Sequence, residues 1–88
     1  NFAKEPAMTR QQAADAIKTG INIVKEMKEQ GYKILATGEM GIGNTTTSSA
    51  VCAVMLEKDV EEVTGRGAGL STEGLNKKIS VIKNAIEK

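Results

Sequence analysis

The stretch that most limits what this chain can fold into is "YKILAT", residues 32–37. It is a short apolar run between Gly31 and Gly38 that does not alternate polar with apolar. That pattern predicts a strand buried on both faces, as inside a parallel sheet. The rest of the sequence reads as helix or connection, and one strand cannot make a sheet. The expected fold class is therefore α/β: a fragment of a parallel three-layer α/β/α fold, mostly helical in this chain, with one buried strand near 33–37. The alternative is a unit that completes itself by association. At 88 residues the chain is at most one small domain.

Around that run the helices are marked by their caps and spacing. "NFAKEPAM" reads as an extended lead-in, because Pro6 disfavours helix at Glu5. Thr9 opens a helix, with Gln12 three residues on to complete a capping box. Ala13, Ile17, Ile21 and Val24 recur at helical spacing, and Gly31 is a natural stop. Gly20 inside this helix suggests close packing against a neighbour. "TTTSSAVCAVML" (45–56) predicts a second helix whose Cys52, Met55 and Leu56 are expected in the core. Asp59 caps a short turn at "VEEV", whose Glu61 and Glu62 read as a solvated face, and a last helix begins near Thr72 or Glu73 and runs to the end.

Composition removes several function classes. Histidine is absent and Cys52 is the single cysteine, so the usual general base, a metal cluster and an internal disulfide are all disfavoured. The formal net charge of +1 and two aromatics, Phe2 and Tyr32, give no basis for binding nucleic acid. No apolar run is long enough to span a membrane and no secretory pattern is visible, so a soluble, cytoplasmic protein is expected.

The chemistry concentrates in "GEMGIGNTTTSSA", residues 38–50. The spacing approaches the triphosphate loop G-x-x-x-x-G-K-[ST], but Asn44 stands where lysine belongs and Glu39 adds a negative charge. The dinucleotide pattern also fails, since Thr46 occupies its third glycine position. What remains is a strand end, glycines that let the backbone approach a ligand, and a helix start with unpaired N–H groups. Thr45, Thr46 and Thr47 add hydroxyls. Such a junction suits one phosphate monoester or another small anion. The plainer reading is a turn capped by Asn44 or Thr45. Glu39 is a candidate for holding a sugar hydroxyl or ring nitrogen, or for acting as a base; a solvated loop residue is the other reading.

"GRGAG" (65–69) is a second glycine-rich connection, with Arg66 as candidate ligand for an anion or, alternatively, a solvated hinge residue. On the last helix Leu75, Ile79, Ile82 and Ile86 form one stripe. Lys77 falls opposite it. Lys78 falls on its flank, where its stem can lie along the core and its ammonium can reach a cleft near the helix start. A solvated lysine is the competing reading.

"ATGEMGIGNTTTSSAV", "VTGRGAGL" and "EGLNKKISVI", in this order and spacing, resemble the nicotinate-nucleotide:5,6-dimethylbenzimidazole phosphoribosyltransferases, and "NFAKEPAMTRQQA" resembles the segment before that signature. The resemblance covers essentially the whole chain. It implies that residues 1–88 are an internal fragment of the phosphoribosyltransferase domain carrying the phosphate half of the site. The implied reaction, in cobalamin (vitamin B12) biosynthesis, moves the 5-phosphoribosyl group of nicotinate mononucleotide onto dimethylbenzimidazole, giving α-ribazole 5′-phosphate and nicotinate. By position, Glu39, Gly41, Ile42, Gly43, Asn44 and Thr45 match the family's substrate loop, and Lys78 matches its phosphate-contacting lysine. Arg66 and Gly67 are weaker candidates. The resemblance implies no cofactor and no metal.

It also implies that the catalytic glutamate and the segment that helps bind the benzimidazole lie outside this chain. The fragment is then expected to be inactive alone, with Glu39 at most supporting catalysis and the parent a homodimer. Where relatives often carry an acidic pair, this chain has Ser71 and Thr72, which leaves the local cap open. The competing expectation is a small self-associating helical interaction module without catalysis.

Overall fold

The computed structural model describes residues 1–87. Four helices follow one another: α1 (Arg10–Glu29), α2 (Thr45–Leu56), α3 (Val60–Val63) and α4 (Thr72–Ile86). They fall into two units, Pro6–Glu39 on one hand and Asn1–Glu5 with Met40–Lys88 on the other.

The first unit is α1 and its flanks. Thr9 Oγ1 accepts from Gln12 N–H at 3.2 Å while Gln12 Oε1 accepts from Thr9 N–H at 2.9 Å, so the expected capping box is present. At the other end Gly31 takes φ +91°, and the Tyr32 N–H returns to the Met27 carbonyl at 3.1 Å. A left-handed glycine closed by a bond of that kind ends helices routinely. No residue of α1 is buried, and nothing lies within 4 Å of where a Gly20 side chain would sit. The close packing expected at Gly20 is therefore absent.

The strand expected near 33–37 does not form, and no sheet exists among the described residues. Ile34 is 89% exposed and Leu35 53%. An isolated parallel strand has no neighbour to satisfy its amides and carbonyls, so an apolar run alone cannot hold one. The expected α/β class is corrected to helices and connecting segments, with no strand among the described residues. The lead-in is likewise not extended: Lys4 N–H and Glu5 N–H both donate to the Asn1 carbonyl, closing a turn.

The second unit holds the core. Ala50 and Ala53 of α2, Val60 of α3 and Ile82 of α4 are buried, with Phe2, Val63 and Ile79 packed against them. Small residues on α2 let α4 come close, and Ile82, fully buried, fills the space between. The opposite side of α2 is bare. Met55 is 77% and Leu56 61% exposed, which corrects the expectation that both are core; Cys52 is half-buried. Ser71 Oγ accepts from Gly74 N–H at 3.1 Å, so serine caps α4, the cap that the sequence left open. That helix stops at Ile86; its expected run to the chain end reaches residue 88, outside the described residues.

Candidate anion site

The loop before α2 turns on two glycines with positive φ, Gly41 (+80°) and Gly43 (+75°), a region that residues with side chains seldom enter. Asn44 follows in the N-cap position, but its side chain caps nothing. Its carbonyl accepts from Thr47 Oγ1 (2.9 Å), Ser48 Oγ (3.0 Å) and Ser48 N–H (3.1 Å). The first-turn N–H groups of α2 thus lack the side-chain cap that an N-cap asparagine usually supplies. Thr47 and Ser48 turn their hydroxyls back on the loop, so the row of hydroxyl donors expected at 45–47 loses Thr47.

Across from these groups runs the α3–α4 connection. Gly67 takes φ +58° and Gly69 +110°. Arg66 stitches this segment together, donating Nη1–H to the Leu70 carbonyl at 2.9 Å and Nη2–H to Thr72 Oγ1 at 3.2 Å. It is an exposed loop staple that also lines the cleft.

Lys78 completes the arrangement. It is 7% exposed, and its Nζ donates to Thr45 Oγ1 at 2.8 Å and to the Gly65 carbonyl at 2.9 Å. The ion pairs among the described residues, Lys58–Glu62 and Lys83–Glu61, leave it out. A buried cation whose partners are neutral oxygens is under-compensated, and it favours an anion brought from outside. The solvated reading of Lys78 fails; its place on the helical wheel, at the flank of the apolar stripe, agrees with its burial.

A cleft of about 320 Å³ brings together Gly41, Gly43, Thr45 and Thr46 from the first loop and helix with Arg66, Gly67 and Lys78 from the second connection and α4. Asn44 adjoins it through the N-cap, and Ile42 is 71% exposed. Glu39 belongs to the other unit and is exposed. The sequence pattern did not single out Ala68, Gly69 and Leu70, which also line the cleft; the repeated glycines of "GRGAGL" were the signal for them. No group of His, Cys, Asp or Glu among the described residues could hold a metal ion, and no described helix is long and apolar enough to cross a membrane.

Open amides, glycines and one buried ammonium around a small cleft are the groups whose chemistry suits a compact oxyanion. The phosphoribosyltransferase family model matches residues 1–88, and the chain belongs to that family. It is 58% identical to the nicotinate-nucleotide–dimethylbenzimidazole phosphoribosyltransferase of Ruminiclostridium cellulolyticum over 99% of this chain and 25% of that protein. The protein of the same name from Acetivibrio thermocellus gives the same identity and coverage, and that from Alkaliphilus metalliredigens is 53% identical over 99% of this chain and 25% of its own length. The chain thus spans about a quarter of the length of the relatives it matches. No solved structure matches it.

Proposed function

We propose that this chain is the phosphate-holding part of an enzyme that transfers the 5-phosphoribosyl group of nicotinate mononucleotide to 5,6-dimethylbenzimidazole. The products are α-ribazole 5′-phosphate and nicotinate, in cobalamin biosynthesis. The observation that carries this reading is the buried Lys78 ammonium, held by neutral oxygens beside the uncapped start of α2. The names of the relatives supply the substrates.

In the reaction the C1′–N bond breaks and its electron pair leaves on nicotinate. The unprotonated imidazole nitrogen of the acceptor bonds C1′ from the opposite face, and the proton on its other ring nitrogen is given up. Positive charge grows on the sugar in between, so the reacting carbon must be held in place by groups remote from it. A seat for the 5′-phosphate does that. Neutral amides, the Thr45 and Thr46 hydroxyls and one ammonium suit a single monoester. A triphosphate with its magnesium calls for more charge, so Asn44 can stand where other phosphate loops have lysine. Gly41, Ile42 and Gly43 set the path of the loop, Arg66 and Gly67 form the facing wall, and Glu39 is a supporting group in the parent enzyme. The base that takes the acceptor's proton belongs to a part of the parent outside these residues.

Titration of the 88-residue chain with nicotinate mononucleotide and with inorganic phosphate, followed by amide NMR, tests this. Weak binding that shifts Gly41, Gly43 and the Thr45–Thr47 amides is expected, lost in Lys78→Ala and in Gly43→Val, with no turnover by these residues alone. Unshifted amides at millimolar ligand would overturn the reading. The exposed apolar residues Ile17 and Ile21 of one unit, and Met55 and Leu56 of the other, favour a second one, a self-associating module, and a homodimeric parent would cover some of them. Concentration-dependent sedimentation without mononucleotide binding would select the module.

A further inference from the structure

We infer that Thr45 and Gly67 are positioning residues for Lys78: the threonine oxygen clamps the ammonium, and the bare glycine keeps open the space in which they meet. This rests on the phosphate reading above and concerns how the seat is kept ready for a phosphate monoester.

A lysine side chain is long and flexible, and a free one must be immobilised when it meets a ligand. Here it is immobilised beforehand. Two acceptors from separate parts of the chain hold Nζ, the hydroxyl of the first residue of α2 and the carbonyl of Gly65 in the α3–α4 connection. An ammonium has three donors, so this clamp leaves one N–H for a ligand in the cleft that Lys78 lines.

The hydroxyl row clarifies why Thr45 has this task. Thr47 and Ser48 donate their protons to the Asn44 carbonyl. Thr45 Oγ1 instead accepts from Lys78, which leaves its own proton to donate. A chain from ammonium to hydroxyl to phosphate oxygen polarises each bond in turn. Thr45 then contributes both its own O–H and the aim of the lysine.

Gly67 is the steric condition for the clamp. A Cβ built there would stand 2.8 Å from Thr45 Oγ1 and 3.7 Å from Lys78 Nζ, and φ is +58°. A gap of 2.8 Å is closer than a carbon and an oxygen tolerate, so any side chain would drive the hydroxyl off the lysine. By contrast a Cβ at Gly41 would meet only Thr45 Cγ2, at 3.9 Å, an ordinary contact. The demand for glycine at 67 therefore arises from the clamp as well as from the turn.

The experiment uses two readouts on the 88-residue chain. The first is the Lys78 ammonium resonance in phosphate-free buffer. It is expected to be protected from solvent exchange in the wild type and in Thr45→Ser, and lost in Thr45→Val and in Gly67→Ala. Protection that survives in Thr45→Val overturns the proposal. The second is affinity for inorganic phosphate in a double-mutant cycle. Thr45→Val is expected to weaken binding roughly three- to tenfold, and serine to restore it. In a Lys78→Ala background the valine should cost clearly less than it does with Lys78 present, because only the direct Thr45 O–H contact is then left to lose. Losses that multiply in the double variant would show independent contacts and overturn the positioning role. A wild type that binds no phosphate yet shows the protected resonance would refute the phosphate reading while upholding the clamp. Gly67→Ala keeps the Thr45 hydroxyl, so it tests the clamp by the same two readouts should Thr45→Val fail to fold.

Discussion

Helices α1 and α4 are written in the same pattern and meet opposite fates. Each has an apolar stripe at helical spacing and a side-chain oxygen at its N-cap, Thr9 in one and Ser71 in the other. Yet α4 buries Ile82 completely and Lys78 nearly so, whereas the longer α1 buries no residue. Periodicity determines that a helix forms and which face is apolar. Whether that face is covered depends on a partner, and α4 has one in the alanines of α2.

The strongest way to break the comparison is to shorten one side chain in each helix. Ile82→Ala leaves a cavity in a fully closed site and is expected to cost about 2–5 kcal/mol, a large part of the stability of so small a chain. Ile21→Ala, at a side chain 48% exposed, should change the unfolding midpoint only marginally. Urea denaturation of the two variants decides it. Comparable losses would mean that α1 is covered as firmly as α4.

Two glycines sharpen the same contrast with opposite signs. Gly67→Ala forces a side chain into φ +58° and against Thr45 Oγ1, and a loss of about 1–3 kcal/mol is expected. Gly20→Ala lies in mid-helix with open space around it, so it should stabilise α1 by about 0.5–1 kcal/mol. Thermal melts of both variants check the signs. A destabilised Gly20→Ala would reveal a neighbour closing on α1.

The cap of α1 is the next smaller lever. Thr9→Ala removes one side of the reciprocal pair with Gln12, at a cost of about 0.5–2 kcal/mol to the helix. Because α1 buries nothing, the loss should appear as faster amide exchange along α1 with the amides around Ile82 unchanged. Equal acceleration in both helices would mean that the two unfold together.

The same contrast explains how much could be read beforehand. The Thr9 capping box, the helix spans and the Lys78 flank were legible, because each depends on residues within a few positions or on the geometry of one helix; the cap expected from Asp59 makes no side-chain hydrogen bond. The turn from the loop at 38–50 into α2 was legible, since glycines before a helix start set that path locally. The strand at 33–37 was not, because an apolar run cannot say whether a neighbouring strand exists to pair with it. Met55 and Leu56 were misread for the same reason: α2 is apolar on more than one side, and only the side toward α3 and α4 is covered. Nor could Arg66 be foreseen as a staple, since its partners, the Leu70 carbonyl and Thr72, depend on how the loop folds back. The strand and the α2 residues were misread because their fate is decided outside their own stretch of chain, whereas Arg66 and the lead-in turn on how a short segment closes on itself.

The smallest effect concerns charge. Lys83 on α4 donates to Glu61 of α3, and both side chains are about half exposed, at 46% and 52%. The hydrogen bond from Lys83, then a backbone bond, hold the Glu61 carboxyl below its usual value; the hydrogen bond to Glu61 holds the Lys83 ammonium above its own. The carboxylate's contribution is therefore complete above the ordinary carboxylate range and disappears as pH falls through the lowered value. The ammonium's is complete below its ordinary value and disappears as pH rises through the raised one. Between these limits stability should be flat with respect to this pair, and solvent and salt screen it. Lys83→Met should move the melting temperature by no more than the scatter of the measurement at neutral pH, and by less still in high salt. If instead it lowered the melt as far as Ile82→Ala does, the covering of α4 would owe as much to charge as to Ile82, and burial alone would no longer separate the two helices.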